Sequence, residues 1–318
     1  MITVKGSTIA RHAVLLAASI SIALLFTSSP ARSDPFEACH PAPVRHSAAE
    51  EQEIAIETPD GRILGTLAKP SEAPPRALAL LLHGYTGSRN EIRVARGEGM
   101  FTRTARAFAE RGIATLRIDF IGSGRSDGEW ADTRFSGQAR DAARASQALR
   151  DRFSAPSIPL GVLGYSQGGL VALRSAAGGG AFDRLTLWNP VMDPMTTYGK
   201  IFGRETVLEG ARRHDQTEDR AIVSETRLRP GFFAEIVAAD PIADAARVEA
   251  PVMIVTGQRD PLVIDGAALA AQIASGRAGE TTILDLNAGH DLGALREPAL
   301  LDQVIACTAG FLLADIPS

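Results

Sequence analysis

Short apolar runs recur along the chain, each bounded by glycine, proline or charged residues. The runs that read as strands fall near 53–57, 63–68, 77–82, 114–118, 159–164, 184–188, 251–256 and 281–285. From the third onward they alternate with stretches of helical periodicity at 99–111, 135–152, 167–177, 265–275 and 298–313. That alternation predicts a mainly parallel, eight-stranded sheet with helices on both faces. Between Pro190 and Ala250 the alternation breaks. A charged stretch around 204–220 is followed there by the apolar Phe232, Phe233, Ile236 and Val237, and the segment 191–250 reads as a cap inserted between strands six and seven. No internal repeat is present.

The first 33 residues follow a different pattern. Lys5, Arg11 and His12 precede an apolar stretch at 13–26, and the small residues Ala31 and Ser33 flank Arg32 before Asp34. This is the form of a secretory signal peptide, its apolar core too short for a comfortable membrane span. A retained anchor is the alternative reading. The context of Cys39, preceded by Phe36, Glu37 and Ala38, does not resemble a lipid-attachment site. The expected organisation is therefore a signal peptide at 1–33, a lead-in at 34–51 and one domain at 52–315, in a periplasmic or secreted protein without stable membrane association after cleavage.

Composition, 45% hydrophobic and 22% charged, fits one globular domain with a large core. Removal of the leader deletes three cations and no acidic residue, taking the formal net charge from −4 to −7. Such a surface offers nothing basic to recruit nucleic acid or anionic lipid. Cys39 and Cys307 are the chain's two cysteines. In an oxidising compartment a Cys39–Cys307 disulfide is expected, with two free buried thiols as the alternative. No spacing of His, Cys or carboxylates suggests a metal, and no phosphate-binding or dinucleotide motif occurs, so no cofactor is expected.

The candidate chemistry centres on Gly164-Tyr165-Ser166-Gln167-Gly168, between a buried strand and a helix. A serine on so sharp a turn projects its hydroxyl above the sheet, and glycines two positions either side avoid clashes. The hydroxyl needs a base, and the base needs a third group to fix its tautomer. His290 follows the last strand and comes after the serine in the chain. His83 comes before it and reads as a loop-packing residue. Asp260, at the end of the strand preceding that of His290, is the candidate acid, ahead of Asp285 and Asp291. The backbone N–H groups of Gln167 and of Tyr85, in the glycine-containing loop His83-Gly84-Tyr85-Thr86-Gly87, are candidate donors to an oxyanion.

Together, His83 to Gly87, the turn Asp119-Phe120-Ile121-Gly122-Ser123-Gly124, the elbow at Ser166, and the Asp260 and His290 loops resemble the α/β-hydrolases. The closer likeness is to the feruloyl or cinnamoyl esterase and serine aminopeptidase-like branch, over residues 52 to 315. Two departures are visible: Gly-Ser-Gly stands where that branch commonly has Gly-His-Gly, and Tyr165 stands where His often precedes the serine. The resemblance implies hydrolysis of small-molecule carboxylic esters through an acyl-enzyme. A serine peptidase acting on amides and a non-catalytic binding protein of the same fold are the alternatives. Met192, Phe202, Phe232 and Phe233, with Met195 and Tyr198, are candidate substrate contacts from the cap, unless they pack the cap's own core. Oligomeric state is not legible.

Overall fold

The computed structural model describes residues 36–37, 39–45, 48–95, 97–154, 157–215 and 221–316. The proposed signal peptide lies outside the described residues. Among them, eight strands form a single sheet in the order β1-β2-β4-β3-β5-β6-β7-β8. The strands are β1 (Ala49–Thr58), β2 (Gly61–Pro70), β3 (Ala77–Leu82), β4 (Ile113–Ile118), β5 (Leu160–Tyr165), β6 (Arg184–Trp188), β7 (Val252–Gly257) and β8 (Thr281–Leu286). β2 pairs antiparallel with both β1 and β4, and every pairing from β4 through β3 to β8 is parallel.

The inner strands from β3 to β7 are almost wholly buried because helices cover both sides. β3 reads Ala-Leu-Ala-Leu-Leu-Leu with all six positions buried. Its alternate residues serve two cores: Leu80 and Leu82 join Val162, Leu170, Leu187 and Phe232 on one face, while Leu81 joins Phe101, Phe108, Leu163, Trp188 and Ile305 on the other. Helices α1 (Met100–Ala109) and α9 (Pro298–Leu312) contribute to the second core. α2 (Phe135–Phe153) and α3 (Gln167–Ala177) contribute to the first.

β1 begins at Ala49, so residues 49–51 are strand rather than lead-in. Glu50 and Glu51 hide this edge strand from an apolar-pattern reading. Their carboxylates pair across the sheet with Lys69 at 2.5 Å and Arg117 at 2.8 Å. Upstream, Cys39 and Cys307 form a disulfide with Cα atoms 5.5 Å apart, within the ordinary span for such a bond. Ala42 N–H also donates to Ala306 O at 3.3 Å, and Arg45 N–H to Glu110 O at 2.7 Å, so the lead-in lies along α9 and the end of α1.

Among the described residues, the segment between β6 and β7 forms four helices, α4 (Pro194–Phe202), α5 (Arg204–Asp215), α6 (Pro230–Ala238) and α7 (Pro241–Ala246). Asp193 and Asp240 cap α4 and α7 by accepting from Thr196 N–H and Ala243 N–H, each at 2.9 Å, with proline following each cap. α6 is fastened to α2 through Glu235, whose carboxylate accepts the Ser136 N–H at 2.9 Å. Among the described residues no helix is long and apolar enough to cross a membrane. α8 (Gly266–Gly276) completes the set.

Candidate active site

Ser166 sits between β5 and α3 with φ 52° and ψ −117°, a conformation few non-glycine residues adopt. The turn is tight enough that a Cβ at Gly164 would overlap the Gly168 carbonyl, and one at Gly168 the Leu82 carbonyl. This is the packing reason for both glycines.

His290 Nε2 lies 3.0 Å from Ser166 Oγ, and His290 Nδ1 lies 2.6 Å from Asp260 Oδ2. An ionised carboxylate only accepts, so the proton sits on Nδ1 and leaves Nε2 free to accept from the serine hydroxyl. The Asp260 carboxylate is 1% exposed, and its other oxygen accepts Leu262 N–H at 2.8 Å and Val263 N–H at 3.0 Å. Those two bonds aim Oδ2 at the imidazole. The competing acids are engaged elsewhere. Asp285 accepts from Thr256 Oγ1 at 2.8 Å, and Asp291 from Leu295 N–H at 2.9 Å. Ser166 itself is 7% exposed.

His83 is fully buried, and burial lowers its pKa. Phe120 N–H donates to its Nε2 at 3.3 Å, so Nδ1–H donates to Gly84 O at 2.8 Å. The ring thus joins the loops after β3 and β4 and is turned away from proton transfer. Gly84 packs directly on Ser166: a Cβ there would stand 3.3 Å from Ser166 Cβ. Neither Tyr85 N–H nor Gln167 N–H has a backbone acceptor among the described residues. Gln167 opens α3, where the helix dipole adds to the pull on an anion. The arrangement supplies a proton acceptor for Ser166 Oγ, with the Gln167 N–H next to it in the chain.

The aromatic residues collect around Tyr85. Its ring lies 5.3 Å from that of Trp130, 5.7 Å from Phe202, 5.9 Å from Tyr198 and 6.1 Å from Phe232. Burial pushes the Tyr85 hydroxyl up to about 12. Of the substrate-contact candidates, Met192, Phe232 and Phe233 are 2%, 1% and 0% exposed and belong to the main core. Phe202 is half-buried, as are Met195, Tyr85 and Trp130.

Several residues that the sequence reading passed over hold the site together. Asn189, at the end of β6 with φ 41°, donates from Nδ2 to Gly289 O at 3.1 Å and His290 O at 2.9 Å, and accepts Gly257 N–H at 2.7 Å. It ties the histidine loop to the end of the acid's strand. Tyr165 O–H donates to His290 O at 3.1 Å. Tyr198 O–H donates to the Gln167 side chain, whose Nε2 donates to Gln138 at 2.8 Å. A polar residue directly after a strand was the one local signal, at Asn189; the others required the fold. Among the described residues no cluster of three or more His, Cys, Asp or Glu could hold a metal ion.

The chain matches the hydrolase family described as serine aminopeptidase, S33, over residues 73–294. No curated protein matches it. Among solved structures, the Est1E protein of Butyrivibrio proteoclasticus with ferulic acid bound superposes with a TM-score of 0.63 at 20% identity, covering 83% of this chain and 99% of that one. A highly thermostable carboxyl esterase from Bacillus coagulans gives 0.62 at 16% identity, with 84% and 99% covered. An esterase of Pyrococcus furiosus gives 0.61 at 18% identity, with 84% and 91% covered. At these identities the likeness is one of fold, the α/β-hydrolase architecture.

Proposed function

The chain belongs to the serine aminopeptidase S33 family, and on that premise we propose that it is an exported serine hydrolase that cleaves small carboxylic esters. The observation that carries this reading is the continuous file from Ser166 Oγ through His290 to Asp260, at 3.0 Å and 2.6 Å. In the proposed cycle Ser166 Oγ attacks the ester carbonyl while His290 Nε2 takes its proton. The negative charge that develops on the carbonyl oxygen is met by the N–H groups of Tyr85 and Gln167. His290 returns the proton to the departing alkoxide, the alcohol leaves, and the acyl group remains on Ser166. Water, deprotonated by the same imidazole, then releases the acid. Asp260 steadies the imidazolium in both halves without taking its proton.

The cap assigned to 191–250 is the part that selects the substrate in this reading. α4 and α6 bring Tyr198, Phe202 and Phe232 against Tyr85, so half-buried Phe202 and Met195 are the contacts proposed for the ester's apolar portion. Export is supported by the apolar leader and by the disulfide, which persists in oxidising compartments.

The test is turnover of p-nitrophenyl esters from acetyl to palmitoyl, and of methyl ferulate, by the mature protein, alongside Ser166→Ala. Ester turnover that the substitution abolishes supports the proposal. Turnover confined to aminoacyl amides would replace it with the peptidase reading, and no turnover of either class with a non-catalytic binding protein.

A further inference from the structure

Glu91 contributes a carboxylate to the loop that follows β3, seven residues beyond Gly84. Its Oε2 accepts the Gly84 N–H at 2.7 Å, and its Oε1 accepts the Ile92 N–H at 3.2 Å. The residue holds φ 58°, which costs a non-glycine side chain energy and persists only where surrounding contacts enforce it. The contacts are visible: Glu91 N–H donates to Ser88 O at 2.8 Å, and Gly87 N–H to Gly84 O at 3.1 Å. The carboxyl occupies the space that a side chain at Gly87 would fill, since a Cβ there would stand 2.7 Å from Oε2. The loop from Gly84 to Glu91 is therefore closed on itself through one side chain.

The position of that closure matters chemically. Gly84 rests against Ser166 Cβ and the Tyr165 ring, and the next N–H along the chain is that of Tyr85. Rotating the 84–85 peptides swings the Tyr85 N–H about Gly84, which as glycine has little to resist the motion. With Gly84 N–H anchored, the following N–H is aimed. Misplacement of a catalytic donor by a fraction of an ångström removes most of its value, because its worth lies in being in place before charge develops.

We infer that Glu91 is a positioning residue for the oxyanion site, its carboxyl anchoring the Gly84 N–H so that the Tyr85 N–H faces the oxygen of the carbonyl under attack by Ser166. Glu91 touches no reacting atom and acts through the loop. Burial pushes its carboxyl up to about 7, yet both protonation states keep an oxygen that accepts from Gly84. The acceptor, rather than the charge, performs the positioning.

The inference rests on the esterase reading, and the experiment separates the two. Wild type, Ser166→Ala, Glu91→Leu and Glu91→Gln are compared for kcat and KM on a soluble p-nitrophenyl ester and for inhibition by an alkyl trifluoromethyl ketone. The ketone's serine adduct places an oxyanion in the same site. Leucine keeps the volume, removes the buried carboxyl and deletes the acceptor; glutamine restores an acceptor. The expected result is a kcat about 30-fold lower in Glu91→Leu with KM within about threefold, a matching loss in ketone affinity, and recovery of most of both in Glu91→Gln. An unchanged kcat in folded Glu91→Leu overturns the inference, as does equal loss in the two variants or a loss confined to KM. If Glu91→Leu does not fold, Glu91→Gln decides: kcat and ketone affinity close to wild type support the inference, and a 30-fold loss of both overturns it. Absence of ester turnover in wild type would instead defeat the esterase reading, before any variant is considered.

Discussion

The Cys39–Cys307 disulfide closes a loop of 268 residues, nearly the whole described chain. Cutting it leaves the folded contacts in place and releases the unfolded chain. The loop-closure relation gives an entropy change of about 19 cal/mol/K for that length, or about 5.6 kcal/mol at 25 °C. At about 2.1 cal/mol/K of unfolding entropy per residue, a domain of this size loses about 9 °C in Tm for that free energy. The estimate assumes that the lead-in stays docked without the bond, and the structure supports this. Cys39, Ala42 and Cys307 are buried, and the Ala42–Ala306 and Arg45–Glu110 backbone bonds do not involve sulfur. The perturbation is Cys39→Ala/Cys307→Ala, with alanine chosen because a serine hydroxyl at position 307 would be buried. The assay is calorimetric unfolding of wild type with and without reductant and of the double variant, with intact mass confirming that the oxidised chain gains two hydrogens on reduction. A fall of 5–10 °C on reduction, reproduced by the double variant, is expected. A shift below about 2 °C in fully reduced protein would refute the loop-closure argument.

Other consequences concern the site. Asp260→Asn leaves the shape of the acid but lets the imidazole adopt the wrong tautomer, and kcat on an ester is expected to fall by about 10³ to 10⁴ with KM little changed; a loss below tenfold would mean that His290 is oriented by other groups. Asn189→Ala frees the His290 loop from β7 and removes an acceptor from the buried Gly257 N–H. It is expected to lower kcat about tenfold and stability by about 1–3 kcal/mol, read from kinetics and urea unfolding. Glu91 favours its neutral form when folded, because its carboxyl is raised from 4.5 to about 7. Its contribution is therefore fully present below pH 4.5 and lost as pH rises through about 7. Glu91→Gln removes that dependence, so the variant's stability relative to wild type should improve by about 2 kcal/mol between pH 5 and pH 8; a constant difference across that range would argue against a raised carboxyl.

The strands were readable because the inner strands are short, mostly apolar runs, unbroken in β3 and broken by Thr115 and Arg117 in β4 and by Thr186 in β6. The order of serine, acid and histidine was readable because each follows a strand at its carboxyl end, where parallel topology gathers such residues. Residues 49–51 escaped because an edge strand paired on one side only can carry glutamates. The roles of Met192, Phe232 and Phe233 were ambiguous because an apolar residue in an insertion looks the same whether it faces a substrate or a core. The structure buries all three.

Whatever depends on neighbours along the chain can be read without the fold: apolar periodicity, the small residues that a strained serine turn requires, and the charge and length of the apolar N-terminal stretch. Which distant polar groups meet is settled only by folding. Asn189 reaches Gly257 and His290, and Tyr198 reaches Gln167, only because β6 lies beside β7 and α4 brings Tyr198 to the first residue of α3. A hydrogen bond needs its partners within about 3 Å and correctly aimed, and no local pattern encodes that condition between residues so far apart in the chain. Even Glu91, seven positions from Gly84, was invisible, because the turn that brings its carboxyl back is closed by backbone bonds rather than by any periodicity.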